Sequence, residues 1–181
     1  MRELSLHILD LVENAIRAGA TVIAVSVEEQ PDADQLTLLV EDDGPGLPVS
    51  AQVAADPFYT TKEGKKTGLG LSLLKFRAEQ AGGSFILGKA ALGGLAVRAA
   101  MPLSSVDRSP LGDLPATLAS VVCTNPDVEL RARLCVGSRE WAVSSADVAR
   151  RLPVGSRSDI VIAREVRQRI AEGLVALHVT E

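Results

Sequence analysis

The sequence predicts an α+β fold in which helices cover one face of a mixed sheet, followed by a small α+β module. Residues 1–104 give the order helix, strand, strand, loop, helix, strand, strand, which is typical of a two-layer α/β sandwich. A linker at residues 102–115 contains three prolines, and further helical and strand patterns follow it. Aromatic residues make up only 3% of the chain, so Leu, Val, Ile and Ala are expected to form the core. We predict two domains, residues 1–104 and 105–181.

In the first domain, apolar residues recur at helical spacing over residues 3–18, and Gly19 is placed to end this helix with a left-handed cap. A second amphipathic helix is predicted over residues 69–81. Residues 49–68 show no clear period and are predicted to form a loop. The segments rich in β-branched and apolar residues are predicted to be strands: residues 21–27, 36–42, 84–90 and 94–101.

In the second domain, apolar residues alternate with polar ones over residues 128–136, which predicts a half-buried strand. Trp141, the only tryptophan, is expected to pack in the core or at an interface. The remaining predicted elements are a helix over residues 115–122, a strand over 139–144, helices over 145–152 and 159–172, and a last strand over 174–180.

The stretch KEGKKTGLGLSLLKF, residues 62–76, places Gly68 and Gly70 at the start of the second helix. It is not a dinucleotide fingerprint, because Leu73 stands at the third glycine position. It is not a P-loop either, because Lys66 separates Lys65 from the threonine. A glycine pair that opens a helix nevertheless exposes backbone N–H groups at a positive dipole end, and such groups bind phosphate.

Two further groups of residues suit a phosphate-bearing ligand. Asp10 and Asn14 are four residues apart and share a stripe of the first helix, where a carboxylate and an amide could hold a hydrated Mg²⁺ and a water. Asp42 ends a strand and precedes Gly44 and Gly46. A ligand ring can lie against bare glycine backbone there, and the carboxylate can accept a hydrogen bond from an exocyclic amine. The polar segment over residues 56–68 is predicted to be a lid next to the glycine pair.

Residues 5–102 resemble the ATP-binding domain of the GHKL superfamily. The resemblance rests on four motifs in a fixed order: Asn14, Asp42-x-Gly44-x-Gly46, Phe58 and Gly68-x-Gly70. The resemblance implies a Bergerat-type fold that binds Mg-ATP. It implies that Asn14 ligates Mg²⁺, that Asp42 reads adenine and that the glycine box meets the phosphates. The full set of nucleotide-binding residues that it implies is Asn14, Asp42, Gly44, Gly46, Phe58, Thr60, Thr61, Lys62, Thr67, Gly68, Leu69, Gly70 and Leu71.

The resemblance leaves three functions open. The lid and glycine box are similar to those of bacterial histidine kinases, but the first motif already includes residue 10, before which the helical pair with the phosphoacceptor histidine has no place. The chain is therefore expected to be a stand-alone kinase, similar to anti-sigma-factor kinases, that transfers the γ-phosphoryl group to a partner protein. It could instead be an ATP-hydrolysing conformational clamp, with Asp10 as the general base, or a non-catalytic ATP sensor. An enzyme is the favoured reading.

Charge and hydropathy limit the location and partners of the protein. The formal net charge of −4 argues against nucleic acid as the main partner. Acidic residues interrupt the apolar ones near the N-terminus, so no signal peptide is expected, and no apolar stretch approaches the ~20 residues of a membrane span. We therefore predict a cytoplasmic protein whose partners are ATP and a phosphoacceptor or regulatory protein. A homodimer is left open.

Overall fold

Six strands form one mixed sheet in this computed structural model, which describes residues 3–47 and 69–180. The sheet order is β3-β4-β2-β1-β5-β6; β1 and β5 are parallel and the other neighbours are antiparallel. The helices are α1 (Leu4–Arg17), α2 (Leu69–Gln80), α3 (Leu114–Thr124), α4 (Ser145–Arg151) and α5 (Asp159–Leu177). The strands are β1 (Val22–Gln30), β2 (Gln35–Asp42), β3 (Ser84–Lys89), β4 (Leu95–Pro102), β5 (Glu129–Val136) and β6 (Arg139–Ser144).

The helices cover one face of this sheet, as the sequence predicts. Alternate residues of β1 are buried, and Val25 lies in the same apolar core as Ile8 of α1 and Leu74 of α2. The opposite face carries exposed charged side chains, among them Arg98 and Arg131. Because α1 and α2 bury their apolar faces in one core, they lie side by side over the sheet. The two-layer α/β sandwich is confirmed.

The sheet continues across the predicted domain boundary at residue 104. β5 pairs with β1 along its whole length, from Val22 opposite Glu129 to Glu29 opposite Val136. The carboxylate of Glu29, only 2% exposed, accepts hydrogen bonds from the backbone N–H and the hydroxyl of Thr180, which anchors the last described residue to β1. The two-domain division stays a prediction, and the structure adds that one sheet joins both parts.

The predicted last strand over residues 174–180 is wrong. α5 runs through this region to Leu177 and ends at His178, whose φ of 57° is left-handed. A glycine inside the helix has a packing reason: a Cβ added at Gly173 would lie 2.5 Å from Trp141 Cδ1. The indole of β6 therefore packs directly on the helix backbone, and Trp141 has the packing role that the sequence predicts.

We expect Gly173→Ala to destabilise the protein by about 1–2 kcal/mol. Overpacking against the indole costs roughly 1–3 kcal/mol, of which alanine's better helix propensity returns up to ~1 kcal/mol. Gly155→Ala is the matched control, since no atom lies within 4 Å of its added Cβ. Urea denaturation of both variants measures the difference, and equal midpoints would contradict the packing of Trp141 on α5.

Candidate functional site

A polar stripe runs along α1 beside its buried face. Asp10, Asn14 and Arg17 follow one another at spacings of four and three residues, so they project from the same side of the helix. Asp10 and Asn14 are half-buried, and Arg17 is exposed. The guanidinium Nη2 of Arg17 donates a hydrogen bond to Asn14 Oδ1 at 2.5 Å. The stripe thus presents a carboxylate, an amide and a cation within two turns.

The first turn of α2 lies directly against this stripe at Gly70. A Cβ added there would lie 1.6 Å from Asp10 Oδ2 and 3.5 Å from Asn14 Nδ2, so any larger residue requires a shift of Asp10 or of the helix. α2 begins at Leu69, and the N–H groups of a helix's first turn have no acceptor within the helix. The structure therefore brings together two parts of the predicted site that are 56 or more residues apart in sequence.

Asp42 ends β2 with a carboxylate that is fixed through one of its oxygens. The side chain is 7% exposed, and Oδ1 accepts hydrogen bonds from the N–H groups of Gly44 at 2.9 Å and Leu95 at 3.1 Å. A Cβ added at Gly94 would lie 2.1 Å from Oδ1, so the β3–β4 turn approaches this carboxylate through bare backbone. Within the described ranges, no donor bonds to Oδ2.

Asp43, the next residue, has a different role. Its carboxylate accepts hydrogen bonds from the N–H groups of Thr21 and Val22 at 2.8 and 2.9 Å and from the Thr21 hydroxyl at 2.7 Å. The Val22 N–H and the Thr21 hydroxyl hold the pKa of Asp43 below its usual value. Asp43 therefore ties the turn after β2 to the start of β1, while strand alternation places Asp42 on the helix-covered face.

Both groups of polar residues lie at the same end of the sheet. Asp42 pairs with Ile23 near the start of β1, and α1 ends just before this strand. A Cβ added at Gly44 would lie 3.7 Å from the Cβ of Ala20, which joins α1 to β1. The turn after Asp42 therefore packs against the segment that follows Arg17. Asp42 and the polar stripe of α1 accordingly lie at the same end of the sheet.

The structure places some of the remaining predicted site residues and leaves others outside the described ranges. Gly46 lies in the turn after Asp42 with a left-handed φ of 76°, and Leu71 packs partly buried against the core. Leu69 begins α2, but its side chain is not among those described. Outside the described residues lie Phe58, Thr60, Thr61, Lys62, Thr67 and Gly68.

Sequence reasoning missed Arg17 and Leu95. Arg17 stands three residues after Asn14 on the same helix, and this spacing is the signal that could have identified it. Leu95 contributes only its backbone N–H to Asp42, a role that no side-chain pattern reveals. Arg17 adds a positive charge next to the Asn14 amide on α1.

The donor set suits an adenine nucleotide with a lightly held divalent cation. Asp42 Oδ2 would suit an exocyclic amine as its hydrogen-bond acceptor, and the first-turn N–H groups of α2 would suit phosphate. No group of three His, Cys, Asp or Glu side chains converges on one point in the part of the chain that the structure describes. Mg²⁺ fits such a site, because it takes one or two protein oxygens together with phosphate oxygens and waters. Asn14 and Asp10 carry the oxygens that would serve.

The comparisons with known proteins agree with this arrangement. Residues 2–105 match the family described as histidine kinase-, DNA gyrase B-, and HSP90-like ATPase. The chain is 47% identical over 67 residues to the sensor kinase CckA of Brucella abortus, covering 36% of this chain and 7% of that protein. It is 35% identical over 100 residues to the sensor histidine kinase CpxA of Escherichia coli K12, covering 52% of this chain and 21% of that protein. The chain thus spans a small part of both sensor kinases.

A solved structure extends the similarity in fold beyond the matched residues. The N-terminal domain of a DNA repair protein superposes with a TM-score of 0.50 at 11% identity, over 79% of this chain and 52% of that one. At this identity the similarity concerns the fold alone. Among the described helices, none is both long enough and apolar enough to cross a bilayer.

Proposed function

Since this chain belongs to the histidine kinase-, DNA gyrase B- and HSP90-like ATPase family, we propose that it binds Mg-ATP and transfers the γ-phosphoryl group to a partner protein. The observation that carries the proposal is the contact between the Asp10 carboxylate and the backbone of Gly70. It puts a basic oxygen beside the helix N-terminus where phosphate would bind. The two curated relatives named above are sensor kinases, which favours a kinase.

Each half of the site would hold one end of the nucleotide. Asp42 Oδ2 would accept the hydrogen bond of the adenine amine, while Gly44 and Leu95 keep the other carboxylate oxygen occupied and the side chain oriented. The first-turn N–H groups of α2 would donate to the phosphates, which the helix dipole also attracts. A Mg²⁺ ion held by Asn14 would neutralise phosphate charge during transfer.

The chemical step needs a proton acceptor when the attacking group is a hydroxyl. The Asp10 carboxylate would take the hydroxyl proton as the acceptor oxygen forms its bond to the γ-phosphorus. The bond between that phosphorus and the β–γ bridging oxygen breaks, and ADP leaves with the electron pair. First-turn N–H groups stabilise the charge that develops on the phosphoryl oxygens. The same carboxylate would serve equally for a water molecule.

If the acceptor is a histidine, neither histidine of this sequence is placed to serve. Of the two histidines in the sequence, His7 is 1% exposed, and burial lowers the pKa of its ring. His178 caps the far end of α5. A buried imidazole on the same helix as Asn14 cannot reach out to a bound γ-phosphate, so an acceptor from a partner is the simpler arrangement. Incubation with labelled ATP and a cell lysate tests this, and a labelled partner protein is the expected result.

The second candidate is hydrolysis of ATP in a conformational clamp. The Asp10 carboxylate favours it as well, because it would activate water in the position described for a hydroxyl. The labelling experiment separates the two functions. Label on a partner protein supports transfer, whereas release of all the label as inorganic phosphate, with no protein labelled, favours hydrolysis and contradicts the kinase.

We expect Asp10→Asn to reduce phosphoryl transfer or hydrolysis by about 10²–10⁴-fold while ATP still binds, because the amide cannot accept the proton. Glu13→Gln is the matched control, since Glu13 is an exposed acid on the same helix. Turnover is measured with labelled ATP and binding by calorimetry. Wild-type turnover in Asp10→Asn would rule out Asp10 as the base in both candidate functions.

A further inference from the structure

Arg17 donates a hydrogen bond to the atom of Asn14 that a metal ion would need as its ligand. Its Nη2 donates to Asn14 Oδ1 at 2.5 Å. The amide nitrogen of Asn14 faces the other way, 3.5 Å from the position of a Cβ on Gly70. The lone pair of the amide nitrogen is delocalised into the carbonyl group, so Oδ1 is the one side-chain atom of Asn14 that can ligate Mg²⁺.

A guanidinium and a divalent cation exclude one another at this oxygen. Both carry positive charge, and like charges a few ångströms apart repel. Rotation of the amide does not resolve the conflict, because it would turn the Asn14 NH₂ group toward the Arg17 donor. Arg17 is exposed, so its long side chain can leave Asn14 for solvent without displacing any packed group.

We infer that Arg17 and Mg²⁺ alternate at Asn14 Oδ1, so that Arg17 sets the Mg²⁺ concentration at which nucleotide binds. The inference rests on the proposed function, because it requires Asn14 to be the Mg²⁺ ligand of an ATP site. Without nucleotide, Arg17 holds the amide oxygen and keeps the side chain of Asn14 in place beside Gly70. When the cation enters with the phosphates, that hydrogen bond is exchanged for a metal–oxygen bond.

The test measures the Mg²⁺ midpoint of nucleotide binding. The melting temperature of the full chain is followed against Mg²⁺ at a fixed concentration of a non-hydrolysable ATP analogue, for wild type, Arg17→Ala, Asn14→Ala and the double variant. We expect the midpoint of Arg17→Ala to fall about 2- to 10-fold, the range that one hydrogen bond represents. Arg98→Ala is the control for charge alone, because Arg98 is exposed on the opposite face of the sheet.

Asn14→Ala should raise the midpoint and make it insensitive to Arg17, so that the double variant behaves like Asn14→Ala. A midpoint in Arg17→Ala that equals or exceeds that of wild type overturns the alternation, and the ATP site stands if the analogue still stabilises the protein. An Asn14→Ala midpoint equal to wild type also overturns it, by removing Asn14 as the ligand. Absence of any stabilisation of wild type by the analogue overturns the proposed function and the alternation together.

Discussion

Gly70→Ala should raise the dissociation constant for ATP by about 100-fold or more, the largest effect on nucleotide affinity that we expect from any single substitution. The added Cβ would lie 1.6 Å from Asp10 Oδ2 and 2.8 Å from its Cγ, so the first turn of α2 or the Asp10 carboxylate must shift. We expect a shift of the helix turn, which takes the N–H groups away from the phosphates. Each hydrogen bond to a charged group contributes roughly 1.5–3 kcal/mol, and loss of one or two accounts for the factor.

Gly88→Ala is the matched control for this substitution. Gly88 lies in β3, and no atom falls within 4 Å of its added Cβ. Calorimetric titration with Mg-ATP compares the two variants, and circular dichroism shows whether Gly70→Ala keeps its secondary structure. A natively folded Gly70→Ala protein that binds ATP like wild type would show that the α1–α2 contact is not the phosphate site.

Asp42→Asn should weaken ATP binding about 10- to 100-fold while leaving the melting temperature of the nucleotide-free protein nearly unchanged. The amide oxygen of asparagine can still accept the N–H groups of Gly44 and Leu95, so the turn stays closed. The second oxygen becomes an NH₂ group, which cannot accept the adenine amine. Loss of one hydrogen bond to a charged acceptor gives the expected factor.

Two comparisons sharpen this second experiment. Inosine triphosphate carries a carbonyl oxygen in place of the adenine amine, so its weak binding to wild type should not decrease further in Asp42→Asn. Asp43→Asn should keep its affinity for ATP but melt at a lower temperature, because the Asp43 carboxylate accepts hydrogen bonds from Thr21 and Val22 at the start of β1. If Asp43→Asn lost ATP binding and Asp42→Asn kept it, the roles of the two aspartates would be reversed.

The sequence predicts most of the fold because its periodicity is local. The apolar spacing of α1 and the β-branched runs of β1 and β2 are determined by neighbouring residues, and their predicted bounds agree closely with the structure. The prediction of a last strand was wrong because Gly173 lies inside α5, where its packing against Trp141 explains the glycine. The pairing of β5 with β1 was likewise beyond a local pattern, since it joins segments about 100 residues apart.

The same distinction between local patterns and tertiary contacts applies to the candidate site. The resemblance implies nucleotide-binding roles for Asn14, Asp42 and the glycine box, from their residue types and their order. In the described part of the chain, Asn14 lies beside Gly70 of the glycine box, and Asp42 lies beside Gly44. The sequence could not reveal that Asp10 Oδ2 fills the space of the missing Gly70 side chain, because this contact depends on how α1 and α2 pack. The bond between Arg17 and Asn14 lies within α1, and its three-residue spacing is a local signal that the sequence does contain.

The most direct test of the proposed ATP site is the melting temperature of the wild-type chain with and without Mg-ATP. At a ligand concentration 100 times the dissociation constant, binding stabilises the folded state by about 2.7 kcal/mol. For a chain of 181 residues this corresponds to a rise of roughly 5–10 °C. We predict that rise with ATP and Mg²⁺ together. An unchanged melting temperature at saturating Mg-ATP would contradict a nucleotide site between α1, α2 and Asp42.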